Sequence, residues 1–312
     1  MKKSLAIVII LALLVSLCAC DAGSNDAPSA PSALSPTATP APSQDSITPS
    51  QDSAPETGPV PTVQPAKPVE LIVFAAASMT ETLNEIAVLY KSAAPDVTLI
   101  FNFDSSGTLK TQIQEGADCD IFISAGIKQA DQLDITADSS INTEGLDFIL
   151  QGTRLNLLEN RVTLCVPSGN PAGIESFDDF AVKIQNEDIL LAMGNSDVPV
   201  GQYTQKIFAY YGLDEDALAR GGKITYGSNV KEVTTQVAQA SVSCGVVYCT
   251  DAYSAGLEIV DYATAGMCGQ VIYPAAVLNV SANAGDAKAF LDYLQTSEAM
   301  AVFEKVGFAA VY

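Results

Sequence analysis

From residue 69 onward the apolar pattern keeps changing period, and this constrains the fold more than any other feature of the chain. Short runs dense in Val, Ile, Leu and Phe alternate with stretches in which apolar residues recur at helical spacing. Residues 70–76 (ELIVFAA) read as a buried strand, and residues 78–93 as a helix with Met79, Leu83, Ile86, Ala87 and Tyr90 on one face. Strand 97–103, helix 108–115 and strand 120–124 come next. A second series runs through strands 161–166 and 189–193, helix 201–211, strand 223–226, helix 230–240, strand 245–248 and a short helix 250–256. Strand 272–279 and helices 284–295 and 297–305 close the chain. Such alternation predicts βαβ units and parallel pairing. Two α/β lobes suit the two series better than one very large sheet.

The first 68 residues obey other rules. Lys2 and Lys3 precede an uncharged, mostly apolar run over residues 5–17, 13 residues long. A membrane-spanning helix needs about 20 residues, so the run reads as a signal peptide, residues 1–19. It ends in Leu17-Cys18-Ala19-Cys20, which resembles a bacterial lipobox. Cys20 fits the lipidated position because Ala19 precedes it, whereas Cys18 follows Leu17 and fits badly. Eleven of the sixteen prolines then fall within residues 21–68, in a background of Ser, Ala, Thr and Asp. With so little to bury, residues 20–68 are expected to form an extended, disordered tether behind the lipidated cysteine.

Charge removes several functions. The chain carries 36 acidic and 15 basic residues, a net charge of −21, and no histidine or tryptophan. Without histidine there is no Ser–His–Asp or Cys–His pair and no imidazole metal site. The acidity argues against nucleic acid as a partner, since phosphates are neutralised by Lys and Arg. Residues 69–312 hold 31 of the acidic and 12 of the basic residues, so the acidity belongs to the folded part. It slows long-range approach of an anion, an effect screened beyond about 8–10 Å, but leaves a site built from N–H and O–H dipoles untouched. No G-x-S-x-G elbow is present, and nothing positions Lys110 or Lys231 as a base for a serine. Cys119, Cys165, Cys244, Cys249 and Cys268 are five in number, so at least one is unpaired; they read as buried or partly paired structural residues.

The informative residues stand where strands hand over to helices, because a helix N-terminus offers unpaired N–H groups and a positive dipole end. The first handover is AAASMTE, with Ser78 and Glu81 at capping-box spacing. The second is Asp104-Ser105-Ser106-Gly107-Thr108, a polar turn after a strand. The third, NSDVPVG, puts Pro199 at a first helical position, ahead of Val200. The fourth is Ser228-Asn229-Val230-Lys231-Glu232, with Asn229 and Glu232 again spaced as a capping box. Finally, VVYCTDA places Tyr248 at a strand end, where its O–H can reach a cleft. Each feature alone is an ordinary cap, loop or edge aromatic.

Taken together, VFAAASMTETLNEIA, FDSSGTLKTQIQEGADCDIFISA, NSDVPVGQY, GVVYCTDA and AFLDYLQTSEAMAVFEKVGF resemble, in order and spacing, the molybdate-binding proteins of bacterial ABC transporters. The resemblance covers nearly all of residues 69–312. It implies a two-lobed, type II periplasmic-binding-protein-like α/β fold. Each lobe is then a mixed, mostly parallel sheet flanked by helices, with the ligand in the interlobe cleft. Lobe 1 is expected at 69–155 and 275–312, and lobe 2 at 156–274. The family binds its oxyanion through hydroxyls and backbone N–H groups from both lobes. Carried over by motif, these are Ser78, Ser106, Val200, Val230 and Tyr248, the choice of Ser106 over Ser105 resting on the family pattern alone. The resemblance thus implies a lipid-anchored, extracytoplasmic, monomeric capture protein, without cofactor or catalysis. Such a protein delivers molybdate or tungstate to a membrane ABC permease.

This chain departs from the family at Asp104, where a small residue is usual, and at Val200, where alanine is commoner. A carboxylate at 104 repels a fully ionised anion or accepts a bond from a protonated one. Sulfate or phosphate is therefore the rival ligand, a secreted serine hydrolase the rival from another class, and an extracellular sensor a third reading with the same site.

Overall fold

The computed structural model describes residues 68–311. The expected signal peptide, the lipidation at Cys20 and the tether, apart from Pro68 at its end, lie outside the described residues.

In chain order the elements are β1 (Val69–Ala76), a 3-10 turn (Ala77–Met79), α1 (Thr80–Ala93), β2 (Val97–Asp104), α2 (Ser106–Gln114), β3 (Ile121–Ile123), α3 (Ile127–Asp131) and β4 (Leu155–Asn160). Then come β5 (Val162–Val166), α4 (Phe177–Asn186), β6 (Leu191–Gly194), α5 (Pro199–Tyr211), α6 (Glu215–Arg220), β7 (Ile224–Gly227), α7 (Val230–Ala238), β8 (Cys244–Tyr248), α8 (Cys249–Ser254) and β9 (Glu258–Tyr262). The chain finishes with α9 (Ala265–Cys268), β10 (Val271–Val277), α10 (Ala284–Leu294), α11 (Ser297–Val306) and β11 (Ala309–Ala310).

Two sheets form, in the orders β11-β4-β10-β3-β1-β2 and β7-β6-β8-β5-β9. Both are mixed. Parallel pairing joins β1 to β2 and β3, and β6 to β7 and β8; the remaining pairs are antiparallel, so the sheets are less parallel than expected. The reason is that the chain changes sheet twice, and each return strand enters against its neighbours. The expected lobe limits at 155/156 and 274/275 cut through β4 and β10, which both pair in the first sheet. By pairing, the chain leaves that sheet at Arg161 and re-enters it at Val271.

Register explains why the handovers meet. β1 and β2 run in step from Val69 opposite Val97 to Ala76 opposite Asp104, and Ala75 lies opposite Ile123 of β3. The turns holding Ser78, Ser106 and Ala125 therefore open at one carboxyl edge. In the second sheet Gly194 lies opposite Gly227, which sets the turns leading to α5 and α7 side by side. Carboxyl edges of parallel strands are where such sheets bind ligands.

The first sheet is covered on both faces. Leu71, Val73 and Ala75 of β1 join the large core with Met79, Leu83 and Ile86, while Phe74 points the other way into a cluster with Leu109, Ile113, Phe122 and Leu278. Burial on both faces is why β1 reads as an unbroken apolar run. The five cysteines among the described residues are all buried and free of disulfides. Burial pushes the Cys119 and Cys165 thiols up to about 12, so they act as small apolar groups.

Candidate functional site

Ser78, Ser106, Val200, Val230 and Tyr248 line one cavity, together with Ala76, Ala77, Asp104, Ser105, Ala125, Val198 and Pro199. The space left for the centre of a water-sized sphere is about 10 Å³, roughly what one water requires. The five residues come from both sheets, so the cavity lies where the lobes meet.

Ser78 sits in the 3-10 turn before α1, and its side chain caps nothing; α1 starts behind Met79. The expected capping box with Glu81 is absent because both side chains are engaged elsewhere. Ser78 Oγ lies 2.9 Å from the Tyr273 hydroxyl, and Glu81 binds Lys231. At the second handover the labour is divided. Ser105 is the N-cap of α2, accepting from the Thr108 N–H at 3.1 Å. Ser106 is fully buried, and its Oγ accepts from the Ala125 N–H at 2.9 Å, which leaves its proton free to turn.

Pro199 opens α5 as expected, and Val200 follows it; Val230 is the first residue of α7. Their N–H groups belong to the first turns, where a helix supplies no partner. Asn229 caps α7 by accepting from the Glu232 N–H at 3.1 Å. Glu232 reaches back to the Ser228 N–H at 2.7 Å rather than to that of Asn229, so the box closes one residue early. The N-terminal ends of α5 and α7 thus aim dipoles at the cavity without a side-chain cation among its lining residues.

Tyr248 is almost wholly buried, and its hydroxyl donates to the Ala125 carbonyl across the cleft at 3.2 Å. Burial raises its pKa well above the ordinary tyrosine value, so it stays a proton donor. Asp104 accepts from the Ser105 N–H at 2.7 Å and from Asn229 Nδ2 of the facing lobe at 3.3 Å. Part of its charge is therefore already held by donors.

Contacts that no local sequence pattern marks brace this site. Glu81 of the first lobe meets Lys231 of the second at 2.7 Å, and Lys231 also lies 3.3 Å from the buried carboxylate of Asp251. Burial raises Asp251 to about 6, outweighing the attraction of Lys231. Behind Ser78, Tyr273 and Asn160 form a buried hydrogen-bonded row. Their partners are distant in sequence, which is why no motif reveals them; Asn160 and Tyr273 are 113 positions apart.

A family model described as bacterial extracellular solute-binding protein matches residues 71–309. YvgL of Bacillus subtilis, named a "putative ABC transporter substrate-binding lipoprotein", is 34% identical over 78% of this chain and 88% of its own. The molybdate-binding protein ModA of Haemophilus influenzae is 32% identical over 78% of this chain and 92% of its own. Among solved structures, the periplasmic molybdate-binding protein of Azotobacter vinelandii superposes with a TM-score of 0.65 at 20% identity, over 78% of this chain and all of its own. That last likeness concerns the fold.

Proposed function

The chain belongs to the bacterial extracellular solute-binding proteins, and from that membership we propose that it captures molybdate outside the cytoplasm and hands it to an ABC permease. The observation that carries this reading is one cavity lined by two serines, a tyrosine and two helix N-termini from both lobes, in a chain 32% identical to a molybdate-binding protein. Each of the five offers an N–H or O–H, and a tetrahedral dianion has acceptors in every direction and no proton to give. Ser78, Ser106 and Tyr248 donate through hydroxyls, Val200 and Val230 through backbone N–H groups. Tyr248 turns its proton from the Ala125 carbonyl to the anion when the anion occupies the cavity.

Two uncharged helix ends stabilise the anion while costing no desolvated cation. Membership in a solute-binding family supports reading the protein as a carrier rather than a catalyst. We read Cys20 as the lipid anchor and the protein as a monomer, which keeps one binding lobe pair per tether near the membrane.

Sulfate is also a tetrahedral dianion, so cavity size must separate it from molybdate and tungstate. Asp104 favours a second reading, a protonated oxyanion such as hydrogenphosphate, because its carboxylate lines the cavity and can accept a bond. Calorimetry of the purified protein with molybdate, tungstate, sulfate and phosphate separates these. Tight binding of molybdate and weak binding of phosphate is expected; the reverse order replaces the assignment by the second reading.

A further inference from the structure

The buried row behind Ser78 has a direction that is set at its Asn160 end. Asn160 Oδ1 lies 2.8 Å from the Arg161 N–H and 3.2 Å from the Cys249 thiol. A backbone N–H can only donate, so this amide atom is the oxygen. The other end is the NH2 group, which donates to Thr250 Oγ1 at 3.0 Å and to the Tyr273 hydroxyl at 3.1 Å. Having accepted from Asn160, the Tyr273 oxygen has one proton to give. Its other polar neighbour is Ser78 Oγ at 2.9 Å. Ser78, Tyr273 and Asn160 are all buried, so bulk water does not compete for these bonds. Giving that proton to Ser78 Oγ leaves the serine's own proton to point into the cavity it lines.

We propose that Asn160 and Tyr273 are positioning residues that lock Ser78 as a hydrogen-bond donor toward the bound oxyanion. The proposal rests on the cavity being the anion site. Asn160 also ends β4, where the chain crosses to the second sheet, and its amide holds Tyr273 of one lobe and Thr250 of the other. The proton of Ser78 is thus set from the crossover itself.

Reversing the chain of donors tests this. In Asn160→Asp the NH2 donor becomes an acceptor, so Tyr273 donates to residue 160, Ser78 donates to Tyr273, and the serine proton turns away from the cavity. In Tyr273→Phe the serine is merely released. In the double variant the new charge remains, but nothing draws the serine proton away. Calorimetry with molybdate at pH 8, with thermal melts of each variant to establish folding, should give an ordered result. Tyr273→Phe loses about tenfold in affinity, and Asn160→Asp loses about a hundredfold or more. The double variant recovers toward Tyr273→Phe. A double variant no better than Asn160→Asp alone, with all variants folded, overturns the relay, as does Tyr273→Phe binding like the parent. Should Asn160→Asp fail to fold, Ser78→Ala/Tyr273→Phe serves instead; should Tyr273→Phe fail to fold, Ser78→Ala/Asn160→Ala does. Either pair should bind no weaker than Ser78→Ala alone; additive losses overturn the relay. If the parent protein binds no molybdate but binds sulfate or phosphate, the same variants are run with that anion, and only the ligand assignment falls. If it binds none of these anions, both readings fall.

Discussion

Asp251 is fully buried, and neither carboxylate oxygen accepts a well-formed hydrogen bond among the described residues; Lys231 is its ion-pair partner at 3.3 Å. Burial lifts its pKa to about 6, against about 3.9 for an exposed aspartate. A raised acid favours folding in its neutral form. Its stabilising contribution is complete below about pH 4 and is lost as pH rises through about 6. The two-unit shift corresponds to about 3 kcal/mol. Asp251→Asn removes this titration while keeping the shape. Urea unfolding of both proteins from pH 4 to 7 should show parent stability falling relative to the variant by about that amount. A difference that stays flat with pH would mean Asp251 does not titrate in this range. Lys231 keeps its charge throughout; burial opposes it, but Asp251 and Glu81 more than compensate and raise its pKa.

At the scale of elements, closure depends on how near α2 comes to the turn before α5. A Cβ placed on Gly107 would run into the carbonyl oxygen of Asp197, a backbone atom of the facing lobe. Gly107 lies in the first turn of α2, where alanine itself is a better helix former than glycine by about 1 kcal/mol. Gly107→Ala should therefore leave the melting temperature unchanged or slightly higher while weakening molybdate binding at least tenfold. Affinity unchanged in a calorimetric titration would mean that the lobes can close around the added methyl. The same elements show how much of the fold is legible in the sequence. The helices 80–93 and 199–211 and the strands they follow carry strong periodicity. α4 carries a cap at Ser176 and apolar residues at Phe177, Phe180, Ala181 and Ile184, yet it is not among the elements expected from the sequence. β4 and β9 are not among them either: LNLLEN and EIVDY mix polar and apolar residues, and antiparallel neighbours distant in the chain make them strands.

For the whole molecule, the net charge of −21 and the proposed anchor at Cys20 bear on where and how the protein works. A strongly acidic surface keeps it soluble at high local density and slows the approach of an anion, while short-range N–H and O–H dipoles decide binding. A lipid at Cys20 would confine it to the membrane face beside its permease. Cys20→Ser should abolish incorporation of labelled fatty acid and release the protein from the membrane fraction; labelling that persists would place the lipid elsewhere.

Sequence alone determined the α/β alternation, the absence of histidine and the handovers at residues 75–81, 104–108, 195–201, 228–232 and 246–252, within which the family resemblance picked out Ser78, Ser106, Val200, Val230 and Tyr248. The handovers are local properties, written in spacing and composition within a few residues of one another. Tertiary structure decided that those five handovers face a single cavity, since strand register and the return of β10 to the first sheet are set by partners far apart in the chain. It alone decided that Ser78 meets Tyr273 and Tyr248 meets the Ala125 carbonyl, that Asp251 is buried beside Lys231, and that Gly107 meets a facing carbonyl. Each of these depends on a hydrogen bond, an ion pair or a close approach between segments that share no local pattern.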